Sequence, residues 1–384
     1  MRRFIAAIAA AVMLLTGVMP RCNENGSCAD IPVISARSAV LISADTGEIV
    51  YEKDCRKKLP MASTTKIMTV LLTIESGGLD EEFVVDSEAI KVEGSSMGLR
   101  EGDTVTKYAL CVGMLLPSGN DAANAAAVRI AGSLPAFADM MNRKARELGL
   151  SHTFFVTPSG LEGEGHGSSA FDMAILAREA LRNDIFRSIC SQQSMEVEFG
   201  SPPYKRRLKN TNKLISMYEG VYGVKTGFTD EAGRCLVSAC EKDGKRLICV
   251  TLNDRNDWDD HIALYEYGFD VTKSEKIPLP QNVELDIVGG TADKLPLRYG
   301  GEEVSITVRD VMPELEYTVI SPPFLYAPAA EGEEAASMRI SWGGREIASV
   351  PMYAAENIPS APPHSRKKTG KIRKFVSWLR RLVF

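Results

Sequence analysis

No Cys-x-x-Cys pair and no cysteine–histidine cluster occurs in these 384 residues, which leaves the chain without a ready zinc or iron–sulfur site. Histidine is scarce, at four residues, and no Gly-x-Ser-x-Gly elbow frames Ser63, the serine with the most telling neighbours. That weighs against a serine–histidine triad at Ser63, and His152, His166 and His261 read as surface or loop residues. An apolar run of about 20 residues, the length a spanning helix needs, is missing too. Positive charge is thin over most of the chain. The formal net charge is -5, yet eight of the 45 lysines and arginines fall within residues 366–384, which hold no Asp or Glu. A body that acidic is a poor partner for nucleic acid.

What is present is an ordinary globular composition, 45% hydrophobic and 25% charged, in a chain long enough for two folded domains. Arg2-Arg3 followed by "FIAAIAAAVMLLTGVM" has the charged and apolar regions of a secretory signal, with small residues for cleavage at Ser27-Cys28-Ala29. The expected mature chain starts near Asp30 and is exported. Cys22 follows Pro20-Arg21, which is no lipoprotein box. The later cysteines Cys55, Cys111, Cys190, Cys235, Cys240 and Cys249 sit in apolar contexts and read as buried free thiols.

Along the chain, "SAVLISADTGEIVYEKD" reads as a β-hairpin. Residues from about Ala62 to Arg187 read as mainly helical. Strands return at "GVYGVKTGFT", "GRCLVSACE" and "KRLICVTLND", the last two joined through Asp243-Gly244, a type I′ turn signal. A sheet drawn from both ends of a segment around a helical insert is a two-lobed α/β design, with a cleft between the lobes. Residues 274–358 carry short β-type runs spaced by Pro and Gly and read as a small all-β domain. In "RKKTGKIRKFVSWLRRLVF", Ile372, Phe375, Val376, Leu379, Leu382 and Val383 recur on one helical face with cations opposite, the pattern of a helix lying in an anionic membrane surface.

The stretch "MASTTKIMTVLL" opens an apolar helix with Ser63 and Lys66 one turn apart, on the same side. Ser63 is either an N-cap beside a solvated lysine or a nucleophile beside its base. A lysine serves as base only where its ammonium form is disfavoured; burial on this helix and a second cation such as Lys225 both act that way. Two further elements follow in order, Ser118-Gly119-Asn120 at a turn and Lys225-Thr226-Gly227 on a strand. Together they match the S-x-x-K, S-x-N and K-T-G boxes of penicillin-recognising serine enzymes. Asp172 reads as a helix cap, and Arg255 as a carboxylate binder or a solvated loop residue.

With "ASTTKIMT", "PSGNDAANAAA", "SSAFDMA" and "GVKTGFTDEAG", residues from about Ser38 to Gly268 resemble a serine-type D-alanyl-D-alanine carboxypeptidase, a low-molecular-mass penicillin-binding protein. The resemblance implies a β-lactamase/transpeptidase-like catalytic domain at 30–272, an antiparallel sheet plus a helical lobe. A signal at 1–29, an all-β domain at 273–360 and a linker with an amphipathic anchor helix at 361–384 complete the plan. The implied reaction removes the last D-alanine of a peptidoglycan stem peptide, needs no cofactor or metal, and is blocked by β-lactams. Ser63 would be acylated, Lys66 would take its proton and Ser118 would relay one to the leaving amine. Asn120 would hold the peptide amide, Lys225, Thr226 and Gly227 would line the carboxylate subsite, and the N–H groups of Ser63 and Phe228 would form the oxyanion hole. The implied location is the outer face of the cytoplasmic membrane. Cross-link cleavage or transpeptidation is the alternative, since the acyl-enzyme is shared; a β-lactamase of this fold is a weaker one, because no Glu-x-x-Leu-Asn box supplies a deacylating base.

Overall fold

The computed structural model describes residues 30–362 apart from 302, 310 and 311. The expected signal at 1–29 and the amphipathic segment at 366–384 lie outside the described residues. Strand β1 (Ser38–Ser43) is buried along its whole length. Val40 and Ile42 join one apolar core while Ala39 and Leu41 join another, so the strand is covered on both faces and reads as an unbroken apolar run. β2 (Ile49–Lys53) returns antiparallel to it. A 3-10 turn at Ala62–Thr65 then runs into α1 (Lys66–Glu75), where every residue from Lys66 to Ile74 is buried. A helix enclosed all round is the centre of a helical lobe, and its lysine is enclosed with it.

After α1 come β3 (Glu82–Val84), β4 (Thr104–Thr106), α2 (Lys107–Leu115), α3 (Asn120–Ala131), α4 (Leu134–Glu147), α5 (Ala170–Leu181) and α6 (Asp184–Cys190). The chain continues with β5 (Ser194–Gly200), β6 (Pro203–Lys209), α7 (Leu214–Met217), β7 (Val221–Thr229), β8 (Gly233–Lys242), β9 (Lys245–Leu252) and α8 (Asp257–Val271). Thr106, Ser133, Ser169 and Asn183 accept amide hydrogens at the starts of α2, α4, α5 and α6, each cap worth about 1 kcal/mol. The main sheet runs β2-β1-β9-β8-β7, which puts β7 at an edge. Lys242 stands opposite Lys245, and Asp243 and Gly244 have φ of 52° and 70°, the type I′ turn expected there. The second sheet, β3-β4-β5-β6, was not expected.

The described residues form two compact units, one reaching Glu275 and including Ser305–Met312, the other comprising Lys276–Val304 and the chain from Pro313. The second unit holds a six-stranded sheet around Ile287, Leu295, Ala329, Ala354 and Ile358, and no helix among its described residues. Ser305–Val308 departs from the expected boundary at 272/273. This strand pairs with Lys273–Lys276, Thr307 N–H donates to Asp45 (2.8 Å), and Ser43 Oγ donates to the Thr307 carbonyl (2.8 Å). The six cysteines among the described residues are buried and free, and burial pushes the thiols of Cys111, Cys190 and Cys235 up to about 12.

Candidate active site

Ser63 sits in the 3-10 turn, half-buried, and caps neither the turn nor α1. The turn is tight: Ala62 has φ of 48° and Thr64 Oγ1 donates to the Met61 carbonyl (2.6 Å). Two glycines let other segments close on it. A Cβ at Gly160, which has φ of 88°, would lie 2.0 Å from the Ala62 carbonyl oxygen, and one at Gly227 would lie 3.1 Å from Ser63 N. Edge strand β7 therefore passes directly beside the Ser63 amide, and the loop before Gly160 passes beside Lys66.

Lys66 is fully enclosed, and its Nζ lies 2.9 Å from Ser63 Oγ, 2.6 Å from Asn120 Oδ1 and 2.6 Å from the Ser159 carbonyl oxygen. Asn120 Nδ2 donates to the Glu93 carbonyl (2.7 Å), which fixes its Oδ1 toward the lysine. Two of the three partners are thus pure acceptors. A neutral amine has two hydrogens and one lone pair. As an ammonium Lys66 donates to all three; once neutral, its two hydrogens suffice for Asn120 and Ser159 and its lone pair is free to take the Ser63 hydroxyl hydrogen. Burial pushes the Lys66 ammonium well below the usual lysine range, and the Lys225 charge adds to that against an opposing pull from Asp121. Asp121 is itself occupied, accepting from the N–H groups of Met97, Gly98 and Leu99 and from Ser96 Oγ.

Ser118 is buried with φ of 68°, a conformation that costs a non-glycine residue roughly 1–3 kcal/mol and is found where side-chain aim matters. Lys225 is 1% exposed, donates to the Thr226 carbonyl (2.9 Å), and is lowered by burial to about 7. Thr226 Oγ1 meets Thr211 Oγ1 at 2.7 Å. A cleft of about 410 Å³ has Ser63, Ser118, Thr226, Gly227 and Phe228 on its walls. Among the described residues a larger hollow of about 670 Å³ follows Ala62, Gly160 and Thr229, but it has neither Ser63 nor Ser118 on its walls, so the smaller cleft is the candidate site. Of the expected site residues, Ser63, Ser118, Thr226, Gly227 and Phe228 share the cleft, Lys66 and Asn120 join it through Ser63, and Lys225 lies buried in β7 beside Thr226.

Asp172 and His261 depart from their sequence readings. Asp172 is not a cap: Ser169 caps α5, and the Asp172 carboxylate instead accepts from His152 N–H (2.7 Å) and Thr153 Oγ1 (2.8 Å). His261 is fully buried between Ser238 and Thr251 and lowered by burial to about 3. His166 accepts from Val156 N–H at Nδ1 and meets Thr65 Oγ1 at Nε2 (3.0 Å), inside the S-x-x-K segment; burial, then the Lys58 charge, lowers it to about 4. Arg255 is exposed and outside the cleft, whereas Arg234, Asp257 and Trp258 line it. Ser159 and Gly160 went unread because they act through backbone, which leaves no side-chain signature.

The family model described as D-alanyl-D-alanine carboxypeptidase, peptidase S11, matches residues 25–256. The chain is 31% identical over 403 aligned residues to the Bacillus subtilis D-alanyl-D-alanine carboxypeptidase DacF, covering 100% of this chain and 98% of that one. The crystal structure of DacD, a D-alanyl-D-alanine carboxypeptidase from Francisella tularensis, superposes with a TM-score of 0.60 at 27% identity, over 88% of this chain and 99% of its own. The Streptomyces K15 DD-transpeptidase superposes with a TM-score of 0.60 at 30% identity, over 62% of this chain and 99% of its own. With one relative matched from end to end and a buried lysine set on the serine of its first box, the chain belongs to the D-alanyl-D-alanine carboxypeptidase family.

Proposed function

We propose that the protein removes the terminal D-alanine from peptidoglycan stem peptides through an acyl-enzyme on Ser63. The observation that carries this reading is a fully buried Lys66 whose Nζ lies 2.9 Å from Ser63 Oγ and whose ammonium form burial disfavours. Lys66 takes the Ser63 proton as Oγ attacks the carbonyl between the two D-alanines. The N–H groups of Ser63 and Phe228 hold the oxyanion, a task that backbone donors perform with any non-proline side chain. Ser118 passes the proton to the departing amine, D-alanine leaves, and water releases the shortened peptide. Asn120 orients the peptide amide; Lys225, Thr226 and Gly227 line the place of the terminal carboxylate. Residues 30–272 are read as the catalytic domain, 273–360 as the all-β domain and 361–384 as linker and anchor.

The same intermediate serves transpeptidation if an amine replaces water, and likeness to a DD-transpeptidase keeps that reading in view. β-Lactams should acylate the same serine. Incubation with labelled penicillin and mass spectrometry of the trapped peptide is expected to show a stable adduct on Ser63. An adduct elsewhere, or none on folded protein, overturns the assignment. Incubation with a diacetylated Lys-D-Ala-D-Ala peptide and with cross-linked muropeptides separates D-alanine release from cross-link cleavage. The proposed location is the outer face of the cytoplasmic membrane, held by residues 366–384; among the described residues no helix is long and apolar enough to cross a membrane.

A further inference from the structure

We propose that Asp121 is a positioning residue of the acyl-transfer site: its carboxylate draws the loop 93–99 onto the start of α3, and through that loop it keeps Asn120 aimed at Lys66. This deepens the acyl-transfer reading of the same cleft and rests on it. The segment from Glu93 to Leu99 has no helix or strand of its own, so its N–H groups need partners from elsewhere. Asp121 supplies them. Its Oδ1 accepts the Met97 N–H (2.9 Å), and its Oδ2 accepts the N–H groups of Gly98 and Leu99 (3.0 Å each) and the Ser96 hydroxyl (2.5 Å). Donors from four consecutive residues thus converge on one carboxylate, in a residue only 2% exposed. Gly119 keeps the approach open, because a Cβ there would lie 2.7 Å from Asp121 Oδ1 and 2.9 Å from Met97 N.

The same loop holds Asn120. The Ser95 carbonyl accepts the Asn120 N–H (2.7 Å) and the Glu93 carbonyl accepts from Asn120 Nδ2 (2.7 Å), which leaves Oδ1 for Lys66 Nζ (2.6 Å). Gly94, with φ of 88°, lets the backbone pass this close: a Cβ on it would lie 2.7 Å from Asn120 Nδ2. Ser95 itself lines the cleft with Ser63 and Ser118. Asp121 therefore reaches the reacting groups in two steps, carboxylate to loop and loop to Asn120. It acts by charge as well. Two charges face Lys66: Lys225 from β7, which disfavours its ammonium, and Asp121 from α3, which favours it. Asparagine at 121 is close in shape but loses the charge, and whichever way its amide turns, an N–H₂ meets donors of the loop. Gly119→Ala separates the two effects, because it crowds the carboxylate and the loop apart while the charge stays.

The experiment follows penicillin acylation of Ser63 and D-alanine release from diacetyl-Lys-D-Ala-D-Ala against pH for the parent, Asp121→Asn and Gly119→Ala, with each rate taken per folded molecule. Asp121→Asn is expected to lose roughly 10- to 100-fold in both reactions at the plateau, the effect of a misplaced positioning group. The acid limb of its acylation profile is expected to move to lower pH, because Lys66 gives up its proton more readily without the Asp121 charge. Gly119→Ala is expected to lose rate with its acid limb unmoved. Parental rates in Asp121→Asn, or a loss with an unmoved limb, would confine the residue to holding the fold and overturn the proposal. A second arm needs no chemistry at Ser63: amide hydrogen exchange at Met97, Gly98 and Leu99 is expected to be slow in the parent and fast in both variants. Slow exchange retained in Asp121→Asn overturns the proposal, and so do parental rates in a Gly119→Ala protein whose loop amides exchange fast. A parent that takes penicillin on Ser63 but releases no D-alanine would instead sink the carboxypeptidase reading, with Asp121 still tested by acylation and exchange.

Discussion

At the residue scale, the central fact is a fully enclosed lysine. Its three neighbours can all accept, so hydrogen bonding suits either form, and it is burial, with the Lys225 charge, that disfavours the ammonium. Arginine at this place keeps the charge but does not give up its proton. Lys66→Arg is therefore expected to slow acylation of Ser63 by about 10²–10⁴-fold, the usual loss on removing a general base, with an unaltered far-UV spectrum. Acylation at nearly the parental rate would mean that lysine is not the base. His261 makes a different prediction, about stability. It is neutral in the fold, lowered to about 3, and an unfolded histidine titrates near 6.5. Between those values the unfolded state binds more protons, so this contribution is fully present above pH 6.5 and is lost as pH falls toward about 3. Its slope approaches about 1.4 kcal/mol per pH unit. Urea unfolding at pH 7 and pH 5 should show a smaller drop for His261→Gln, which keeps polar atoms near Ser238 and Thr251. An identical drop would place the acid sensitivity elsewhere.

At the scale of elements, legibility followed side-chain pattern. The β1–β2 hairpin, α1 and the β8–β9 turn could be read because burial on one or two faces wrote apolar periodicity into them, and because Asp243-Gly244 suits a left-handed pair of residues. The three boxes could be read because each puts its functional atoms on side chains. The sheet β3-β4-β5-β6 could not. β3 and β4 are three residues each, and β6 carries "PYKRRLK" with only Leu208 buried; Arg206 lies over the Phe199 and Tyr204 rings, so cation–aromatic contact replaces an apolar stripe. Ser305–Val308 misled for another reason. Its hydrogen bonds go to Ser43, Asp45 and Arg246, far away in sequence, and local pattern says nothing about such partners. The loop Pro158–Gly160 supplies carbonyl oxygens to Thr69 and Lys66, and only its glycine hints at the close approach.

At the scale of the whole molecule, charge and chemistry are laid out in different parts of the chain. Ser63, Lys66, Ser118 and Lys225 all lie before residue 275, within the first compact unit, while eight cations and no acid occupy residues 366–384. On the proposed interfacial attachment, each such cation near an anionic lipid surface would contribute about 1 kcal/mol, and the six apolar positions from Ile372 to Val383 would supply the face that enters it. Deleting 366–384 is therefore expected to free the exported protein from membranes while D-alanine release from a small soluble peptide continues. The measurement is fractionation at moderate ionic strength of full-length and shortened forms, each with residues 1–29 intact, followed by assay of both fractions. Raising the salt should release part of the full-length form as well, because charges at a lipid surface are screened within about 8–10 Å at physiological ionic strength and less above it. A shortened form that still sediments would assign the attachment to residues 1–29. A shortened form that is free but inactive would give the tail a part in holding the catalytic unit, and the interfacial reading would fall.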